Sequence, residues 1–260
     1  MAGSFVRRVT VAGALPILWL SLGCNAVMGP SKVDNNWRSY DSVHFSLFVR
    51  PDSFAEANQA RLAEVLDDQY TTTVARLGIT YAGRISAFLY TSAADAGLSC
   101  NRCGMGYPDT EALRAICQAP LDGNLFYLLS HEANHIIQRN AMGRPGTYFM
   151  NDGLASAVIS TRFHGVGNEF FWAWTASHAS AIPALSVLID DSKWGGTDDE
   201  YKASASFLAY LIDRAGPAPI RQLYQVESRS FAQRFNALYG RSLEDLERDW
   251  RAFCAARAQM

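Results

Sequence analysis

Residues 130–137 read Ser130-His131-Glu132-Ala133-Asn134-His135-Ile136-Ile137, a His-Glu-x-x-His pattern. Leu125, Leu129 and Ile136 recur around it at helical spacing. Asp122 offers an N-cap, and Gly143 and Pro145 stand beyond the far end, so the spacing predicts a helix over 122–140. Four residues apart on a helix, two imidazoles lie one above the other and converge on a single ion. Glu132 stands about 100° round from His131, outside the ligand pair but within reach of a water on the same ion. The apolar flank makes this a buried helix, and burying two imidazoles and a carboxylate without partners is costly. A metal ion removes that cost; the other reading is a helix carrying two solvated histidines.

Upstream, residues 37–49 alternate, with Val43, Phe45, Leu47 and Val49 on one side, and read as a strand closed by Pro51. Residues 54–77 are apolar at helical spacing up to Gly78. Residues 85–90 form a second, mostly apolar strand, 94–110 a Gly- and Cys-rich loop, and 112–118 a third strand ending before Pro120. Downstream, another helix opens near Asn151 or Asp152 and runs through Ile159. Helical patterns follow over 200–215, 219–224, 230–238 and 242–257, the last with Ser242 and Asp245 as a capping box. A strand-rich first half and a helical second half define an α+β fold. Gly195-Gly196 and Asp198-Asp199-Glu200 read as a turn and a solvated helix start. Phe170, Phe171, Trp172 and Trp174 read as core or as the wall of a cleft, and His44 has no evident partner.

Taken in order, these pieces resemble the peptidase MA-like group of the gluzincin superfamily of zinc metallopeptidases. Those proteins follow an HExxH helix with a Glu-Gly-x-Ala segment, and Asn151-Asp152-Gly153-Leu154-Ala155 stands in that place here. The similarity extends over the strands at 85–90 and 113–118, over Tyr201-Lys202-Ala203-Ser204-Ala205-Ser206-Phe207-Leu208, and over the ending Leu243-Glu244-Asp245-Leu246-Glu247-Arg248-Asp249-Trp250. It implies one zincin-like catalytic unit over 37–257: a small twisted sheet with a helix, then the HExxH helix and a helical C-terminal lobe. It also implies one zinc ion per chain, held by His131, His135 and Asp152, and hydrolysis of peptide bonds. Glu132 becomes the base that takes a proton from the attacking water. Asp152 departs from the family's glutamate; its stem is one methylene shorter, so its helix must come about an ångström closer. An N-cap is the other reading of Asp152. An oxyanion donor is expected from a tyrosine or histidine: Tyr201 first, because it opens the family-like helix, then His164, His178 and Tyr148. The strand at 113–118 becomes the edge strand, on which Leu113, Arg114, Ala115 and Ile116 align an extended peptide.

At the start of the chain, Arg7 and Arg8 precede an uncharged run, residues 9–23, interrupted by Pro16. It falls short of the twenty or so apolar residues of a membrane span and reads as an export signal. It ends Leu20-Ser21-Leu22-Gly23-Cys24, which resembles a bacterial lipobox with Ser21 where that motif has leucine. This implies a signal peptide over 1–23, lipidation of Cys24, a linker over 24–36 and a lipoprotein on the periplasmic face of the outer membrane. Cleavage after Ala26, giving a soluble periplasmic or secreted protein, and an uncleaved N-terminal anchor are the alternatives. In an oxidising compartment Cys100, Cys103, Cys117 and Cys254 read as structural disulfides in one of three pairings; a Cys100/Cys103 redox pair is the competing reading.

The 260 residues are 49% hydrophobic and 18% charged, which excludes a disordered chain. The net charge of −2 lacks the basic excess of a nucleic-acid binder. The expected partners are a peptide or protein substrate and, through the anchor, a membrane. The rival class is a non-catalytic envelope protein that keeps the fold as a binding or assembly module.

Overall fold

The structure is a computed structural model that describes residues 36–97, 104–163 and 167–257. The signal and lipobox segment, the Cys100/Cys103 pair and His164 lie outside the described residues.

Five strands, β1 (Arg38–Asp41), β2 (Phe45–Val49), β3 (Ile85–Tyr90), β4 (Gly104–Tyr107) and β5 (Ala112–Ile116), form one mixed sheet in the order β1-β2-β3-β5-β4. The two outer pairings are antiparallel and the two inner ones parallel. Parallel neighbours need a crossover, and α1 (Phe54–Ala57) with α2 (Gln59–Leu77) supplies it between β2 and β3. Gly78, in the left-handed conformation at φ 58°, ends α2.

The strand expected over 37–49 is instead a hairpin. Val43 sits at its tip, 72% exposed, rather than on the buried side with Phe45, Leu47 and Val49. The Asp67 carboxylate of α2 holds the tip by accepting the Val43 and His44 N–H groups. His44 also finds a partner: its ring stacks on Tyr70 at 3.7 Å. The segment read as a loop over 94–110 carries the short helix α3 (Ala93–Ala96) and β4, and β4 takes the sheet edge. The expectation that Leu113, Arg114, Ala115 and Ile116 lie on the edge strand is therefore overturned. β5 is paired on both sides, with β3 and with β4, so it has no free backbone edge. Leu113 and Ala115 are core, and Arg114 is spent on Tyr90 and the Ala96 carbonyl.

One face of the sheet packs Phe45, Leu47, Leu89 and Leu113 against Leu62 and Leu66 of α2 and against Leu129, Ile136 and Ile137 of α4 (Gly123–Met142). The other face carries a smaller cluster of Phe88, Tyr90, Ala112 and Ile116 under Trp37 and Phe48. The rest is helical: α5 (Tyr148–Ala157), α6 (Asn168–Ser177), α7 (Leu185–Leu188), α8 (Asp198–Ala215), α9 (Pro217–Leu223), α10 (Ser228–Tyr239) and α11 (Leu243–Arg257). Thr197 and Glu200 form a full capping box on α8, so Glu200 is buried, not part of a solvated start. The aromatic run is α6: Phe171 and Trp172 are core, while Phe170 is 39% exposed. Trp250 of α11 is fully buried against Phe207 and donates its indole N–H to Ser206. Truncating a side chain of that kind costs about 3–5 kcal/mol. Cys117 and Cys254, counted at the start among the disulfide cysteines, are free buried thiols.

Candidate metal centre

α4 begins where Asp122 accepts the Asn124 and Leu125 N–H groups, and it carries His131 and His135 four residues apart on one face. α5 is capped by Thr147, whose hydroxyl accepts the Met150 N–H. Asp152 therefore lies inside α5 and is not its N-cap. Gly153 lets α5 come this close: a Cβ there would stand 2.6 Å from Ser204 Cβ of α8. Buried amides lace α4 to α5, with Asn134 donating to the Ala155 carbonyl at 2.6 Å and Gln138 to the Leu154 carbonyl at 3.2 Å. Gln69 of α2 locks the same junction by donating to Asn134 and to the Val158 carbonyl.

These constraints bring three donor atoms together. His131 Nε2 and His135 Nε2 are 3.0 Å apart, and Asp152 Oδ1 stands 3.9 Å from the first and 3.5 Å from the second. Tetrahedral coordination with bonds of about 2.0–2.1 Å spaces its donors about 3.3 Å apart. The three spacings bracket that value, so the group can hold a metal ion, and the shorter stem of aspartate reaches. Burial lowers the His135 pKa to about 4 and pushes that of His131 well down, so both imidazoles are neutral at neutral pH with lone pairs to give. Burial raises Asp152 to about 6, against a hydrogen bond from Asn151 that lowers it. His131 Nδ1 lies 3.1 Å from Ser156 Oγ, which in turn meets the Tyr127 hydroxyl at 2.8 Å. With Nδ1–H donating to Ser156, the ring is held in the tautomer that leaves Nε2 free for an ion.

Glu132 is buried beside this group but outside it. Its carboxylate accepts the Gly106 N–H of β4 at 2.7 Å. Burial pushes its carboxyl up to about 7; the Gly106 bond lowers it and nearby Asp152 raises it further. Two glycines let the edge strand approach: a Cβ on Gly104 would meet Glu132 Cγ at 2.8 Å, and one on Gly106 the Glu132 carbonyl at 2.7 Å.

Of the expected oxyanion donors among the described residues, Tyr201 is the one at the site, its ring 6.2 Å from that of His131. Burial, then Asp152 and Glu132, raise its phenol to about 12, so it stays a hydrogen-bond donor. Tyr148 is 54% exposed and stacks on Trp194, one ring further out, and His178 stacks on Trp174 at the end of α6. Two hollows flank the group. One, of about 340 Å³, is lined by Tyr127, Phe170, Phe171, Tyr201 and Lys202. The other, of about 590 Å³, lies beyond His135 around Arg139, Arg144 and Asn151.

Ser156 and Tyr127 escaped the sequence reading, although helical spacing points to both: Ser156 is four after Asp152 and Tyr127 four before His131. Gly104 and Gly106 carried no such signal. The chain matches no family model and none of the curated proteins.

Proposed function

We propose that this chain is an exported, lipid-anchored zinc metallopeptidase of gluzincin type that hydrolyses peptide bonds in the bacterial cell envelope. The observation that carries the reading is the pairing of two groups with different tasks. Three donors converge on one point, and a second acid, Glu132, with a pKa of about 7, is held beside them by a backbone N–H. His131, His135 and Asp152 would hold the zinc, which supplies Lewis-acid activation of water and of the scissile carbonyl when bound. Glu132, poised near neutral pH, accepts the proton of the attacking water and returns it to the leaving amine. The Tyr201 hydroxyl donates to the oxyanion that forms on the carbonyl oxygen as the water adds to its carbon. β4, the outermost of the described strands and beside Glu132, is the backbone on which an extended peptide aligns.

Metal analysis by elemental mass spectrometry, alongside hydrolysis of a peptide pool, tests this. The wild-type protein is expected to carry about one zinc per chain and to cleave. Asp152→Ala is expected to lose most of both, and Glu132→Ala to keep zinc while activity falls by about 10³-fold or more. A wild-type chain that takes up no zinc on reconstitution would refute the reading and leave the binding-module class standing.

A further inference from the structure

The aromatic run of α6 has no task in the hydrolytic chemistry, yet two of its rings line a hollow beside the metal group. Phe170 and Phe171, packed edge to face at 5.5 Å, border the space of about 340 Å³ together with Tyr127 and Tyr201. Both tyrosines also border the metal group: the Tyr127 ring lies 5.9 Å and the Tyr201 ring 6.2 Å from that of His131. Three of the four walls are held from behind. Phe171 is core, the Tyr127 hydroxyl meets Ser156 at 2.8 Å, and Tyr201 packs edge-on to Trp194 at 5.7 Å. Phe170 is the fourth, a bulky apolar side chain left 39% exposed.

The charge in the lining cancels within itself. Asp198 and Lys202 stand one turn apart on α8 and form an ion pair with each other. Asn124, which is exposed, adds one amide. Four aromatic rings beside a neutral pair favour an apolar occupant, because burying apolar surface is what they reward. The volume stands at the small end of ligand pockets, which run from about 300 to 1,000 Å³, and has room for one large side chain. Successive Cα atoms are about 3.8 Å apart. A side chain seated this close to His131 therefore belongs to a residue at the bond being cut.

Resting on the peptidase reading above, we propose that this hollow is a specificity pocket, walled by Phe170, Tyr127 and Tyr201, that takes a bulky apolar side chain, aromatic above all, from a residue flanking the cleaved bond. Burial of most of such a side chain sets the expected preference for Phe over Ala at about tenfold.

Two measurements separate the pocket from the reaction. In the first, a fluorescein-labelled Gly/Ser peptide with one central Phe, and its Ala twin, are titrated by anisotropy into Glu132→Gln protein. The Phe peptide is expected to bind about tenfold tighter, with the difference lost in an added Phe170→Ser and kept in an added Phe170→Leu. Equal affinities in the Glu132→Gln protein, or a preference that survives Phe170→Ser undiminished, would overturn the pocket. In the second, wild-type protein digests a peptide library read by mass spectrometry, with Phe, Tyr, Trp and Leu expected just before or just after the cut. Cleavage without that enrichment overturns the pocket and leaves the peptidase. Phe-selective binding with no cleavage overturns the peptidase and leaves an apolar-peptide site.

Discussion

Glu132 shows at the scale of one residue what burying an acid costs the fold. Its pKa rises from 4.5 to about 7 because burial disfavours the charge. A raised folded-state pKa means that the folded chain holds this proton more tightly than the unfolded chain. Stability is therefore lost as pH climbs from about 4.5 through 7, and the full cost, on the order of 3 kcal/mol, stands above pH 7. Glu132→Gln keeps an acceptor for the Gly106 N–H and removes the charge. The metal-free variant is expected to melt about 6–12 °C above metal-free wild type at pH 8, with the gap mostly gone at pH 5. His131 and His135 titrate in both proteins and cancel from the comparison. Calorimetry at the two pH values checks it; a gap that persists at pH 5 would mean that charge is not its cause. His131, Glu132 and His135 were legible in the sequence because a five-residue motif on a helix fixes its own geometry. The reach of Asp152 was not, since it depends on how closely α5 lies against α8, a distance set by Gly153 and Ser204 across fifty positions of chain.

At the scale of elements, the long helices declared themselves by period, and α4 matches its expected start at Asp122. The element that matters most beside them, β4, did not. Four residues containing two glycines carry no alternation, and glycine ordinarily weakens a strand. The family resemblance puts the edge on β5, whereas β4 lies outside that strand. In β4 the missing side chains serve proximity, since a Cβ at Gly106 would also press on His135 Cβ at 3.3 Å. Gly106→Ala is expected to push the strand off α4 and take its N–H away from Glu132. The outcome should be at least about a tenfold fall in kcat with zinc largely kept, because the added Cβ meets His135 only at its own Cβ, away from the ligating imidazole nitrogen. Kinetics and metal analysis on the same preparation decide it, and loss of zinc together with activity would place the strand's role in holding the ligands instead.

At the scale of the whole molecule, the α+β class was readable from the order of strands and helices, and the sheet's crossing order was not. Order in a sheet is decided by pairings between segments far apart in sequence, which no local pattern encodes. Among the described residues no helix is long and apolar enough to cross a membrane. The proposed attachment is Cys24, reached from the described unit by residues 24–36, which extended span at most about 45 Å. A site on such a tether would lie within a few nanometres of the bilayer. Each buried methylene of an acyl chain contributes about 0.8 kcal/mol, so an anchor of two or more chains holds firmly, whereas a free N-terminus holds not at all. Expressed in a Gram-negative host and split with a cloud-point detergent, the full chain is expected in the detergent phase and Cys24→Ser in the aqueous phase. Mass spectrometry of the mature N-terminus then reads the acylated cysteine directly. If both proteins partition to water and the mature chain begins at Val27, cleavage after Ala26 is the route of export, and the protein is not held at the membrane by an acyl anchor.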